Sequence, residues 1–400
     1  MDDRILQDLA LEEGGKIIYL ILDGLGGLRM EGWQGTELQV ARTPNLDRLA
    51  SQSVCGLLDP IWPGITPGSG PAHLAIFGYD PLQFEVGRGV LAALGIGFQL
   101  TESDVAARIN FCTLDGEGKV ADRRAGRIPT EENRRLCAKL RENINLRTEF
   151  FIEPVKEHRA VLILRGEGLR GELTDTDPQV VGSPPLEPKP LSPESKKTAQ
   201  LVKEFIDQAK EALANEEKAN MLLLRGFAKY NPFPTMEERY RLHSLAIANY
   251  PMYRGLARLV GMDVWPEVGD LKDEFRLLAQ KIPEYDFIYL HVKKIDSLGE
   301  DGNFFAKVKA IEEVDSFIPQ VLELEPEVII VTADHSTPSL LKSHSWHPVP
   351  VLLFSPNCRA DEVERFDEIS CIKGGLGRLP SVTLISLALA HARRLKKYGA

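Results

Sequence analysis

Several short apolar runs in this chain end on a carboxylate or an imidazole, and that limits its fold more than any other feature. Ile17-Ile18-Tyr19-Leu20-Ile21-Leu22 stops at Asp23-Gly24. A run without polar alternation suits a strand buried on both faces of a parallel sheet. Later runs cover Asp286 to His291, Glu327 to Thr332 and Val349 to Phe354, with helical segments between them. That alternation predicts an α/β fold in which a mostly parallel sheet is flanked by helices. Ligands bind such sheets beyond the carboxyl ends of the strands, where Asp23 falls. The glycines after it lack GxGxxG spacing, and a carboxylate there repels a pyrophosphate unless a metal lies between. Asp23 is thus a metal-ligand candidate, with a structural cap as an equal reading.

The character of the chain changes near residue 100. From Asp104 to about Tyr230, short strand-like runs (Ala107 to Thr113, Ala160 to Leu164) accompany polar helices (Thr130 to Glu142, Ser195 to Asn215). This stretch reads as a smaller inserted α+β domain, residues 104–235, within a discontinuous domain of residues 1–103 and 236–400. A proline-rich arm from Pro184 to Pro193 is semi-rigid and suits a lid or an edge. The insert also holds Asp122-Arg123-Arg124-Ala125-Gly126-Arg127, whose guanidinium forks match phosphate and carboxylate geometry. A solvated basic turn is the plainer reading of that cluster.

With 400 residues, 43% of them hydrophobic and 26% charged, the composition is that of a soluble globular protein. No apolar stretch is long enough to span a bilayer, so no membrane partner is expected. Met1-Asp2-Asp3-Arg4 lacks the basic start of a signal peptide, and a cytoplasmic location is expected. The net charge of −10 argues against nucleic acid as a ligand. Five scattered cysteines without a CxxC pair read as reduced, structural thiols.

The chemistry gathers where the later strands end. His291-Val292-Lys293 leads to Asp296 and then Glu300, Thr332-Ala333 leads directly to Asp334-His335, and His344 precedes the run from Val349. Two adjacent ligands on one strand end point apart, which suits two metals a few Å from each other. Two divalent ions can lower the pKa of a serine hydroxyl and clamp a phosphoryl group in transfer. A serine is at hand in Thr66-Pro67-Gly68-Ser69-Gly70-Pro71-Ala72-His73-Leu74, a sharp turn ahead of an apolar run. Alone, Ser69 reads as a helix N-cap; beside those ligands it reads as a nucleophile.

Taken in order, these motifs resemble the archaeal-type branch of the cofactor-independent (2,3-bisphosphoglycerate-independent) phosphoglycerate mutases, in the alkaline phosphatase superfamily. The matching pieces include Leu22-Asp23-Gly24, Thr43-Pro44-Asn45-Leu46-Asp47, Pro67-Gly68-Ser69, Phe77-Gly78-Tyr79-Asp80-Pro81, Gly87-Arg88-Gly89 and the arginine cluster at 122–127. Leu224-Arg225-Gly226, His291-Val292-Lys293, Thr332-Ala333-Asp334-His335, His344-Ser345, Gly374-Gly375-Leu376-Gly377-Arg378 and Lys396-Lys397-Tyr398-Gly399-Ala400 complete the set. The resemblance spans the whole chain. It implies an alkaline phosphatase-like fold and interconversion of 3-phosphoglycerate and 2-phosphoglycerate, with the phosphoryl group passing through Ser69. It implies two divalent ions, Mn²⁺ or Mg²⁺ first, with Zn²⁺ or Co²⁺ as further options. Asp23, Ser69, Asp334 and His335 would hold one ion, and Asp296, Glu300 and His344 the other. Asp122, Arg123, Arg124, Arg127, Arg225, Arg254 and Lys293 would bind a small phosphorylated carboxylate. Assembly into a homo-oligomer is left open.

Two positions depart from the family pattern. Glu300 stands where the pattern has a histidine, and Ala92 where it has an acid. An oxygen ligand at 300 would favour harder ions over Zn²⁺. The rival readings are a metal-dependent phosphatase or phosphomutase acting on another small phosphorylated substrate, and a catalytically weakened metal-binding homologue with a regulatory role.

Overall fold

A computed structural model describes residues 3–399; of the segments quoted above, Met1, Asp2 and Ala400 lie outside the described residues. The strands in chain order are β1 (Ile17–Leu22), β2 (Val54–Asp59), β3 (Asp104–Leu114), β4 (Val120–Asp122), β5 (Glu149–Lys156), β6 (Arg159–Arg165) and β7 (Met221–Lys229). They continue as β8 (Ser244–Ile247), β9 (Asp263–Val264), β10 (Phe287–Val292), β11 (Val328–Thr332), β12 (Val349–Phe354) and β13 (Gly377–Pro380).

The chain forms two compact units. The first runs to Glu85, resumes over Pro234–Tyr253 and continues from Val260; the second holds Val86–Phe233 and Arg254–Leu259. Sequence alone set the first boundary at 103/104. The structure puts the helix Arg88–Gly95 in the second unit, because glycines let it lie directly on that unit's backbone. A Cβ on Gly89 would sit 2.3 Å from the carbonyl of Ala106, and one on Gly255 would sit 2.4 Å from the carbonyl oxygen of Leu91. The second contact is what draws Arg254–Leu259 into the same unit.

The first unit is built on an eight-stranded sheet in the order β13-β2-β12-β11-β1-β10-β8-β9. β1 is buried at all six positions, as its unbroken apolar run requires. It pairs in parallel with β10 and β11, and β8 with β10 and β9, so the centre of the sheet is parallel. β12 runs antiparallel to both β11 and β2. An antiparallel strand presents its beginning where its parallel neighbours present their ends. His344, ahead of β12, therefore reaches the edge where Asp23, Lys293 and Asp334 emerge from β1, β10 and β11.

The second unit has a five-stranded sheet, β4-β3-β6-β5 with β7 also paired to β3. One face packs on the helices Thr130–Asn143 and Lys196–Leu213. The latter buries Ala199, Val202, Phe205, Ala209 and Leu213, a stripe at helical spacing. They join Ile109, Phe111, Leu136, Leu162 and Leu224 in one apolar core. No helix among the described residues is long and apolar enough to cross a membrane.

Candidate active site

Ser69 is the first residue of the helix Ser69–Ile76, and the N-cap position before it is taken by Gly68. The capping reading of this serine thus fails. Its half-buried Oγ lies 3.3 Å from His335 Nε2 instead. That nitrogen is also 3.0 Å from Asp334 Oδ2 and 3.4 Å from Asp23 Oδ1. A tight β1 end, a serine at a helix start and the Asp-His pair just past β11 therefore converge on one point.

A second cluster adjoins the first. His344 Nε2 is 3.8 Å from Asp296 Oδ1, and the His344 ring stacks on His335 with centroids 3.5 Å apart. Asp23, Asp334 and His335 form one group whose ligand atoms lie within 4.8 Å of one another, and Asp296, His335 and His344 form another. Glu300 stands at the rim, its Oε1 4.0 Å from His344 Nε2 and its side chain 53% exposed. Lys293 reaches between the clusters: its Nζ is 3.1 Å from Asp23 Oδ2 and donates to Asp296 Oδ2.

The electrostatics are those of a cation site. Asp23, Asp296 and Asp334 are fully buried, with Lys293 the ammonium beside them. Burial alone would raise the Asp334 carboxyl, but His335 and His73 hold it well below the usual range. Asp23 is opposed by burial and by Asp334, yet His291 and Lys293 lower it. His335 is depressed by burial and raised more strongly by Asp334. Apart from the imidazole nitrogens facing them, Asp23 Oδ1 and Asp334 Oδ2 are buried and receive no well-formed hydrogen bond among the described residues. Carboxylate lone pairs left in a low-dielectric pocket want a cation. Oxygen and imidazole donors at this spacing fit a divalent ion.

Thr337 sets the orientation of two of these groups. Its hydroxyl donates to Asp296 Oδ1 at 2.6 Å, so its single proton is committed and it can only accept from His335 Nδ1, 3.0 Å away. His335 therefore carries a proton on Nδ1 and turns Nε2 toward Ser69, Asp334 and Asp23. Sequence reasoning missed Thr337, although it sits two residues past His335. It also missed Tyr253, whose phenol donates to Asp23 Oδ2 at 2.5 Å, and His291, whose Nε2 is 3.1 Å from the same oxygen. His73, one helical turn after Ser69, completes the surround with Nδ1 3.3 Å from Asp334 Oδ2.

The remaining predicted residues belong to the second unit. Asp122 accepts from the backbone N–H groups of Arg124 and Gly126, fixing a turn in which Ala125, Gly126 and Arg127 all have positive φ (48°, 65° and 52°). Both its oxygens serve that turn. Arg123 forks onto Asp177 through Nε at 3.0 Å and Nη2 at 2.8 Å. Arg225 lies 3.4 Å from Asp177 and 3.5 Å from Asp175. Arg124 and Arg127 are exposed and have no carboxylate partner among the described residues. Arg254 opens the segment Arg254–Leu259, with Nε buried and without a hydrogen-bond acceptor among the described residues.

Strand register adds arginines that the sequence did not single out. Arg108 on β3 stands directly across from Arg225 on β7, and Asn110 across from Arg159 on β6. Directly paired residues share a face, so these guanidinium groups line one side of the sheet. Burial, then Arg159, Arg124, Arg108 and Arg127, push His158 down to about 4. Four arginines are thus gathered around one buried imidazole, a concentration of positive charge that suits an anion.

Residues 50–219 match a family described as 2,3-bisphosphoglycerate-independent phosphoglycerate mutase. A Thermus thermophilus protein, described as a probable member, is 53% identical over 403 residues, covering 99% of both chains. The chain belongs to the 2,3-bisphosphoglycerate-independent phosphoglycerate mutase family. A probable family member from Aquifex aeolicus is 50% identical over 406 residues, 99% of this chain and 100% of its own. The solved cofactor-independent phosphoglycerate mutase of Thermoplasma acidophilum is 29% identical with a TM-score of 0.73, covering 94% of this chain and 100% of its own. A protein of Pyrococcus horikoshii is 31% identical with a TM-score of 0.85, covering 97% and 100%.

Proposed function

We propose that this phosphoglycerate mutase moves the phosphoryl group between the 3- and 2-hydroxyls of glycerate through a phosphoserine at Ser69. The observation that carries the reading is the position of Ser69 Oγ, 3.3 Å from His335 Nε2 in a pocket of fully buried carboxylates. Asp23, Asp334 and His335 would hold one divalent ion with Ser69, and Asp296, His344 and Glu300 a second. Such ions would lower the pKa of the serine hydroxyl and neutralise the phosphoryl oxygens.

The residues of the chain supply the rest. Ser69 Oγ forms the new P–O bond as the bond to the substrate oxygen breaks, and the serine proton ends on the departing hydroxyl. Return transfer to the other glycerate hydroxyl regenerates the serine. The N–H groups of Ser69 and Gly70, which open the helix ahead of Pro71, would be free to donate to a developing oxyanion. Lys293 supplies a fixed ammonium between the carboxylates, and Tyr253 and His291 hold Asp23 in place. The arginines of the second unit, Arg124 and Arg127 foremost, would grip the carboxylate end of the substrate. Divalent-ion use, the phosphoserine and the Mn²⁺ or Mg²⁺ preference all belong to this proposal, as does the division of labour between the units.

An enolase-coupled assay tests it. The chain with Mn²⁺ should convert 3-phosphoglycerate to 2-phosphoglycerate without added bisphosphoglycerate and lose that activity in a chelator. Release of inorganic phosphate in place of isomerisation would make it a phosphatase.

A further inference from the structure

Lys307 is a fully buried lysine behind the candidate active site, on the helix Phe304–Asp315. Its Nζ donates to three backbone carbonyls: Gly24 at 2.9 Å, Gly26 at 3.1 Å and Thr337 at 2.8 Å. Three acceptors consume three protons, so the side chain is an ammonium in place. Burial lowers the pKa of that ammonium below the ordinary lysine value, and Glu37, 3.9 Å away, offsets part of the effect. An ion pair buried this deeply gives little net stability over an apolar replacement of the same shape. Its location is the informative part.

The three carbonyls belong to the two loops that carry the ligands. Gly24 follows Asp23 directly. Thr337 lies two residues past His335, and its hydroxyl orients both Asp296 and His335. The Thr337 N–H also crosses to Gly24 O at 3.3 Å and Gly26 O at 3.0 Å, so Lys307 caps a cross-link between the end of β1 and the end of β11. Glu37 extends the brace by accepting from Ser339 N at 2.8 Å and Leu28 N at 3.1 Å. Glu368 holds the same β1 loop from the other side by accepting from Gly27 N at 2.8 Å.

We propose that Lys307 is a positioning residue that fixes the spacing between Asp23, Asp296 and the Asp334-His335 pair, and thereby sets the affinity of the site for divalent ions. The proposal rests on the metal-dependent reading of that site. Partners that orient ligands without touching the metal typically control affinity by about 10–100-fold. Lys307 differs from such a partner in acting on backbone: one ammonium fixes two loops at once. The neighbouring lysine of the same helix, Lys309, shows the contrast. It is exposed and pairs with Glu312, an ordinary surface arrangement.

The test is Mn²⁺ binding by titration calorimetry on the full chain at low temperature, comparing wild type, Lys307→Met and Glu37→Gln. Lys307→Met should weaken Mn²⁺ binding by about 10-fold or more. Glu37→Gln keeps an acceptor for only one of the Ser339 and Leu28 N–H groups but leaves the three ammonium bonds, so its affinity should fall by less than that of Lys307→Met. A folded Lys307→Met that binds Mn²⁺ like wild type would overturn the proposal and leave Lys307 a purely structural residue. If Lys307→Met does not fold, wild-type protein labelled with ¹⁵N-lysine decides the matter. The Lys307 ammonium signal should be slow to exchange and should shift on loading with diamagnetic Zn²⁺, and an unmoved signal would overturn the proposal. Wild type that binds no divalent ion would instead defeat the metal-dependent reading itself.

Discussion

Ser69 and His335, separated by 266 residues in the chain, face each other across 3.3 Å through Oγ and Nε2. His335 can offer that nitrogen because Thr337 occupies its other one. Ser69 is therefore placed by a relay: Thr337 orients His335 and Asp296, and those in turn define the pocket that Ser69 enters.

Thr337→Val removes the relay at nearly constant volume. Mn²⁺ affinity measured by calorimetry should fall by about 10–100-fold, since Asp296 loses a donor and His335 an acceptor. Wild-type affinity in this variant would mean that the ligands are held without it.

Glu300 is more than half exposed and 4.0 Å from His344, close enough to complete a coordination shell and free enough to move into it. Glu300→His should shift activity from Mn²⁺ and Mg²⁺ toward Zn²⁺ and Co²⁺, because an imidazole is the softer donor. Assay rates across the four metals read this out. An unchanged ranking would place Glu300 outside the shell.

The arginines of the second unit divide by partner. Arg124 and Arg127 are exposed and lack carboxylate partners among the described residues, whereas Arg123 is locked onto Asp177. Arg124→Gln and Arg127→Gln should each raise KM for phosphoglycerate by about 10-fold or more, the cost of a charge-assisted hydrogen bond, with little change in Tm. Arg123→Gln should lower Tm, because it leaves a buried carboxylate without its fork. A KM effect confined to Arg123→Gln would reverse this assignment.

Glu274 is buried next to Asn249, which donates to it at 2.7 Å, and burial first, then Asp270, push its carboxyl up to about 8. In the unfolded chain it titrates near 4.5. The folded state thus holds this proton more tightly. The stability it confers is complete below about pH 4.5, fades as pH rises and is gone above about pH 8. Glu274→Gln keeps the hydrogen bond and cannot ionise. Its Tm should exceed that of wild type at pH 9 and approach it near pH 5. Parallel pH profiles for the two proteins would show that Glu274 is ionised in the folded state.

Much of this was legible in the sequence. Asp23 and the Asp334-His335 pair could be read because a strand end fixes its own last residues, and a short apolar strand is a local signal. Ser69 could be singled out by its turn, but its approach to His335 depends on the order of strands in the sheet. The antiparallel course of β12, which brings His344 to the right edge, is also a matter of pairing. Lys307 looks like any polar position on an amphipathic helix until three carbonyls are found around it. Arg108 sits inside an apolar strand and Arg159 opens one, and both acquire meaning only through cross-strand register. The boundary of the second unit was misplaced by 18 residues because a helix was assigned by composition, while close glycine contacts with β3 decide where it packs.

The central claim is that Ser69 carries the phosphoryl group. Wild-type chain mixed with 3-phosphoglycerate and Mn²⁺, quenched in acid within a turnover and digested, should yield one phosphorylated peptide by mass spectrometry, modified at Ser69. Ser69→Ala should give no phosphopeptide and lose at least about 10⁴-fold in rate, as removal of a nucleophile does elsewhere. Isomerase activity retained in Ser69→Ala, or a phosphoryl group found on a different residue, would contradict the account.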